Sequence, residues 1–237
     1  MKFSIYAFST LMCISMHLIL NSTQVLGQNF FKYKEAANHS IILGGGPSII
    51  YADNGGRFTQ FRFKFYPSFT LGYSKAVSDH LDVRLNVGHQ RIGVREADDQ
   101  NRIDAWIENG SAIGFSGFAN FVDVMPTFKL IGTKYPLIRP EFNLHLGAGV
   151  GILQSRTNLN FGDNTPNRYQ QSTSFYIPIR SGLSYQLNPN TDLIFEGSMF
   201  ITFTDEIDGN VGFNRFNDHL FQFQIMVKRY LNLRSEY

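Results

Sequence analysis

The chain is short of cysteine, of long apolar runs and of surplus charge. Its one cysteine, Cys13, lies within the first 27 residues. Loss of that leading segment would leave no thiol, which excludes disulfides and cysteine metal sites from the remainder. After Gln28 no stretch approaches the ~20 apolar residues that a membrane helix needs. Any spanning structure must then be a closed sheet, because lipid tolerates only helices and barrels. A formal net charge of +2 is too mild to imply a nucleic-acid partner. His39, His80, His89, His145 and His219 do not fall at metal-ligand spacing on any one element. There is no nucleophile elbow, and Gly44-Gly45-Gly46 precedes no helix, so it is not a phosphate loop. No catalytic residue, cofactor or metal centre is expected, and the chain is not expected to be an enzyme. Asp98-Asp99, Asp163 and Asp205-Glu206 with Asp208 are candidates for weak Ca²⁺ binding in loops; solvated loop charge is the plainer account.

What is present is a two-residue period. Phe61, Phe63, Phe65, Phe69, Leu71 and Tyr73 occupy odd positions of one run, while Gln60, Arg62, Lys64, Ser68, Thr70 and Ser74 fill even ones. Such alternation puts rings on one face of a strand and polar groups on the other. It recurs about eight times, which predicts an all-β fold: an eight-stranded antiparallel up-and-down transmembrane β-barrel with both termini in the periplasm.

The leading segment is set apart from this domain. Met1-Lys2 supplies a positive start, Phe3 to Leu20 is mostly apolar, and Val25-Leu26-Gly27 offers a cleavage site before Gln28. Residues 1–27 read as a secretory signal peptide and 28–237 as one barrel domain. The expected strands run over His39–Ala52, Gln60–Lys75, Leu81–Val94, Ser116–Leu130, Phe142–Ile152, Phe175–Tyr185, Leu193–Phe203 and Phe221–Val227. In the third, parity slips before Ile92 and Val94, which predicts a bulge near His89–Arg91. Connections after the second, fourth and sixth strands are short. The segments Asp53–Thr59, Glu96–Phe115, Arg156–Gln171 and Asp205–Asp218 read as polar outer loops.

Alternation alone does not say which face is inside. A soluble lipocalin-like barrel has the same period with an apolar ligand cavity. Three features favour the membrane orientation. Glycines crowd the polar face (Gly72, Gly88, Gly147, Gly149 and Gly151 among them), where eight strands leave little room. That face carries few charges for a surface in water. The apolar face is dominated by Phe, with Tyr near strand ends. Inward charges need partners. Arg62, Lys64, Arg84, Arg180 and Lys228 are set against Asp82, Asp123, Glu141 and Glu196 as an interior charge network. Glu196, Arg180 and Lys228 share a depth at which all three can meet. A polar plug is expected rather than an open channel.

Four segments carry a resemblance: Arg139–Gly151 (RPEFNLHLGAGVG), Thr173–Ser184 (TSFYIPIRSGLS), Leu187–Asp208 with its Phe203-Thr204-Asp205 step, and Asn217-Asp218-His219. Together they resemble the PorG-like family of small outer-membrane barrels from Bacteroidota. That resemblance implies an eight-stranded outer-membrane barrel and, through the family's type IX secretion member, a place in secretion. Most of the family has no assigned role. The chain departs from the pattern at its end, where Leu231–Tyr237 continues past Tyr230; either Tyr230 or Tyr237 is the terminal aromatic used for insertion.

Three functional classes follow. The first is a non-catalytic barrel in outer-membrane lipid that anchors an envelope assembly, with periplasmic or outer-membrane secretion proteins as partners. The second is a small pore or transport protein. The third, a barrel enzyme acting on lipid A or phospholipid, lacks a convincing Ser-His-acid set.

Overall fold

A computed structural model of the chain describes residues 38–53, 63–94, 100–132, 140–162, 165–210 and 217–231. The leading segment, Arg62, Asp98, Asp99, Asp163 and Tyr237 lie outside those residues, and so do the expectations placed on them. The described part contains β1 (His39–Tyr51), β2 (Tyr66–Ala76), β3 (Leu81–Gly93), α1 (Gln100–Glu108), β4 (Gly114–Lys129), β5 (Phe142–Ala148), β6 (Val150–Asn160), β7 (Arg168–Asn188), β8 (Thr191–Thr202) and β9 (His219–Leu231). No described helix is long and apolar enough to cross a membrane.

Every strand is antiparallel to its neighbours, and the sheet returns on itself. β1 pairs with β2 and with β9, β2 with β3, and β3 with β4 from Leu81↔Phe128 to Gly93↔Ser116. β5 and β6 occupy one position in the ring. Both lie between β4 and β7, and Thr127↔Gly147 and Val124↔Val150 keep a single register across the break at Gly149. β8 then joins β7 to β9. The wall is therefore an eight-position closed ring, which leaves no sheet edge to be satisfied in lipid. One end, the short-turn end, carries the connections 77–80, 130–141 and 189–190. The other, the long-loop end, carries 52–65, 94–113, 161–167 and 203–218.

The pleat sends alternate residues to opposite sides of this wall. In β2 the burial alternates without a break from Tyr66 to Lys75. Leu71 (54 % exposed), Val150 (64 %) and Phe175 (69 %) face outward, and so do Leu43, Leu85, Val124, Leu144 and Ile225. A wall this apolar on its outside is covered by lipid rather than water.

Several expectations are corrected. The third strand has no bulge: pairing with β4 runs unbroken to Gly93, so His89 and Arg91 face out while Gln90 and Ile92 face in. Parity had not slipped; the chemistry of the inner face had changed from polar to apolar. The segment Arg156–Gln171 is mostly ladder, from Arg156↔Gln171 to Leu159↔Arg168, so β6 and β7 continue as a hairpin whose connection is only 161–167. There the inward Ser155, Thr157 and Leu159 are buried and the outward Arg156 is exposed, so the alternation continues in mostly polar side chains. The stretch Glu96–Phe115 contains α1, whose Ile103, Trp106 and Ile107 fall at helical spacing. Gly110, at φ 67°, ends it, with its amide bonded to the Ile107 carbonyl at 3.0 Å.

Candidate functional site

The interior is stacked in layers, each set by which inward positions of neighbouring strands share a level. At the short-turn end Asp82 of β3 lies between two lysines: Lys129 Nζ is 2.7 Å from Oδ1 and Lys228 Nζ 3.2 Å from Oδ2. Tyr230 donates its hydroxyl to Asp192 at 2.7 Å. Around these groups is a small cup, about 50 Å³, that His145, Asn143 and Thr127 also line.

Above it lies the main charge cluster. Arg84 reaches Glu196 with both terminal nitrogens, at 2.5 and 3.3 Å, and its Nε donates to Asn86 at 2.6 Å. Arg180 donates to Asp123 at 2.7 Å and to Glu196 at 3.4 Å. Asp123 also accepts from Asn86 and from the Tyr176 hydroxyl, each at 2.6 Å. His145 Nε2 lies 3.1 Å from Glu196 Oε2. Two guanidiniums face two carboxylates, so the cluster is close to neutral. Most of its polar atoms have partners, as buried charge requires. Toward the β1–β2 and β9 side a neutral polar layer continues, with Gln224 donating to Ser68 at 3.0 Å and Gln222 to Gln90 at 2.9 Å.

The long-loop half is different in kind. Phe121, Tyr176 and Phe200 form a knot of rings, Phe200 lying 4.8 Å from each of the other two centroids. Arg180 places its guanidinium over Phe200 at 5.0 Å and Phe121 at 5.8 Å, joining the charge cluster to the rings. Ile50, Ile92, Leu153, Leu159 and Leu220 continue the apolar filling, and Ile207 of the 203–218 connection enters it from above.

The described part of that connection, 203–210 with 217–218, is a folded cap. Asn210 accepts from the Ala112 amide at 2.8 Å and donates to its carbonyl at 3.1 Å, tying the segment to the one that follows α1. Asp218 accepts from the amides of Ile207 (2.8 Å) and Asp208 (3.3 Å), and Asp208 accepts from Asn210. Both carboxyl groups are buried, which corrects the view of Asp208 as solvated loop charge, whereas Glu206 is exposed. Burial first, and the Asp208 charge second, push the Asp218 carboxyl up to about 9. No group of three acidic, histidine or cysteine side chains among the described residues is placed to hold a metal ion.

Of the residues assigned from sequence to an interior charge network, Asp82, Arg84, Asp123, Arg180, Glu196 and Lys228 are buried inside the barrel. Glu196 meets Arg180 and Arg84, while Lys228 meets Asp82 instead. Two assignments are corrected. Lys64 precedes β2 at the long-loop end, is exposed, and lies over the Tyr66 ring at 5.2 Å, away from the buried charge cluster. Glu141 precedes β5 at the short-turn end, where its side chain is exposed to solvent. Sequence reasoning missed Lys129, although it shares the inward parity of Asp123 and Thr127. It also missed the apolar inward faces of Ile50, Ile92 and Leu153.

The arrangement is a barrel of outer-membrane type with a filled interior. The sequence matches no protein-family model and no curated protein. Solved structures share the fold. Neisserial surface protein A is 13% identical over 83% of this chain and 99% of its own, with a TM-score of 0.51. A major outer membrane protein from Thermus thermophilus is 13% identical over 81% and 98%, with a TM-score of 0.49. OprG from Pseudomonas aeruginosa is 12% identical over 83% and 98%, with a TM-score of 0.43. The last two are outer membrane proteins by name, and at such identity the likeness to Neisserial surface protein A is one of fold alone.

Proposed function

We propose that the chain is an integral, non-catalytic outer-membrane barrel that is sealed along its axis and serves as an anchoring component of an envelope assembly. The observation that carries this reading is the contrast between a lipid-suited outer wall and an interior closed twice, by buried ion pairs and by packed rings. An eight-stranded barrel is narrow, and side chains fill it without leaving a channel. What such a protein offers its surroundings is then its rims and outer wall. Residues 1–27 act as an export signal in this reading, cleaved before Gln28, with both ends of the mature chain in the periplasm.

The resemblance to PorG-like barrels makes the type IX secretion machinery the first place to look for partners. Photo-crosslinkers placed at Lys75–His80, Gly132–Arg139 and Leu187–Asn190 of the full chain are expected to capture envelope proteins in the cell. Recovery of a lone barrel from all three turns overturns the anchoring role. Planar-bilayer recording of the purified barrel is expected to show no steady conductance. Discrete, lasting current steps would instead favour a pore. Amino-terminal sequencing of the mature protein is expected to begin at Gln28.

A further inference from the structure

The outer wall is not equally apolar all the way round. On β8, β9 and β1 the outward residues are apolar or aromatic up to Phe203, Phe221 and Tyr51, and β9 ends with an outward His219 between Ile201 and Tyr51. On β3, β4, β6 and β7 they turn polar while the strands are still paired. Val87, Val122, Ile152 and Phe175 are cross-strand neighbours and form the last apolar row. The next row is His89, Asn120, Gln154 and Thr173, and the one after it Arg91, Phe118, Arg156 and Gln171. On these four strands the paired wall thus continues for two mainly polar rows past its apolar limit.

A shallow groove of about 650 Å³ lies across this boundary. Leu71, Val87, Val122 and Ile152 form its apolar part, and His89, Asn120, Gln154 and Thr173 its polar margin. His89 and Asn120 are bonded to each other at 2.8 Å, and the Phe118 ring lies 5.4 Å from that of His89. Arg91 and Arg156 stand at the far edge of the margin, both exposed. Arg91 lies over the Tyr66 ring at 5.4 Å, and neither guanidinium has an ion-pair partner among the described residues. Lys64, 5.2 Å from the centroid of the same Tyr66 ring, adds a third cation.

We infer that this face of β3, β4, β6 and β7 is a binding site for a phosphorylated, multiply acylated glycolipid of the lipid A type. Its acyl chains lie in the groove and its phosphates meet Arg91 and Arg156. The inference rests on the outer-membrane orientation proposed above. Apolar wall followed by hydrogen-bonding side chains and then by cations is the order in which such a lipid presents chains, sugar amides and hydroxyls, and phosphate. Arg91 and Arg156 are two strands apart, roughly 10 Å at the usual strand spacing. Two separated cations suit two phosphates at opposite ends of one headgroup better than one phosphodiester. Arginine also matches phosphate geometry with paired donors. The breadth of the groove, reaching from Leu43 on β1 to Thr173 on β7, suits several chains side by side.

The test is native mass spectrometry of the full mature barrel in micelles, offered bisphosphorylated lipid A, the same lipid after phosphatase treatment, or phosphatidylglycerol. Retention of one bisphosphorylated lipid is expected. It should fall at least tenfold in an R91A/R156A double variant, and likewise when the phosphates are removed. An R91K/R156K variant should restore a substantial part of it. Equal retention of the dephosphorylated lipid, of phosphatidylglycerol, or of lipid A by the double variant overturns the site. Insertion of the same preparations into phosphatidylcholine nanodiscs reports separately on the membrane orientation. A barrel that inserts but shows no phosphate-dependent retention sinks this inference alone.

Discussion

The two halves of the barrel interior solve one problem by opposite means. Near the short-turn end, inward positions carry Asp82, Arg84, Asp123, Arg180, Glu196 and Lys228, held by paired charges and amides. Near the long-loop end the same parity delivers Ile50, Ile92, Phe121, Leu153, Phe200 and Leu220, held as the core of a soluble domain is held. The division shows that inward need not mean polar in a membrane barrel. Toward the long loops, an apolar interior has Ala112, after α1, and Ile207, of the 203–210 stretch, packed into it. Among the described residues the lower half has no such lid, and its groups keep water-compatible chemistry at the mouth of the cup.

The comparison can be broken from either side. The largest effect is expected from Glu196→Ala, which strips a partner from Arg84, Arg180 and His145 at once. Removing one member of a buried pair costs about 3–5 kcal/mol, and the upper end is expected here. Urea unfolding in micelles measures it, and an unchanged midpoint would show that the cluster carries no stability. Phe200→Ala should come next, at about 3 kcal/mol or more, by opening a cavity among rings that have no water to fill it. Neither change alone should make the barrel conduct, since each leaves the other seal intact. Bilayer recordings of the double variant are expected to show current where the singles show none.

A smaller effect is expected at the junction of the halves. A Cβ on Gly151 would come within 2.6 Å of the Tyr176 ring carbon Cζ and 2.7 Å of the Val122 carbonyl oxygen. The backbone atom cannot swing aside. Gly151→Ala should cost about 1–3 kcal/mol as overpacking, with the unfolding midpoint falling accordingly.

The smallest is confined to the cap. Because folding raises the Asp218 carboxyl from 3.8 to about 9, the folded cap holds a proton that the unfolded segment gives up. Its contribution is complete below about pH 4 and is lost progressively as the pH climbs toward 9. Trp106 of α1, the only tryptophan, reports on that region. Its emission should drift across this window in the native protein and stay flat in Asp218→Asn, which keeps the oxygen acceptor and loses the charge. A drift that persists in the variant assigns it elsewhere.

Much of the wall was legible because the period of two is imposed by the backbone itself. Leu43, Leu71, Val87 and Leu146 could be placed outside without knowing their neighbours. What misled was the assumption that the apolar member of each pair always faces lipid. At Ile92 it produced a bulge that does not exist, and along Arg156–Gln171 it hid a ladder because polarity was taken for irregularity. The charge cluster was partly legible for a related reason. Parity identifies inward residues, but level around the ring depends on register. Glu196 was therefore placed near Arg180, whereas the reach of Arg84 across the interior was invisible. Lys64 and Glu141 had the right parity in strands that end before they reach those positions.

The wall closes where β1 meets β9, with His39 beside Leu231 and Tyr51 beside His219. Of the described strands, these are the first and last to leave the ribosome. Until residue 231 has been delivered, β1 has an unmatched edge and the greasy exterior has no cylinder to belong to. Assembly is thus all or nothing with respect to the final thirteen-residue strand. A chain truncated before His219 would be an open, adhesive sheet needing an escort across the periplasm.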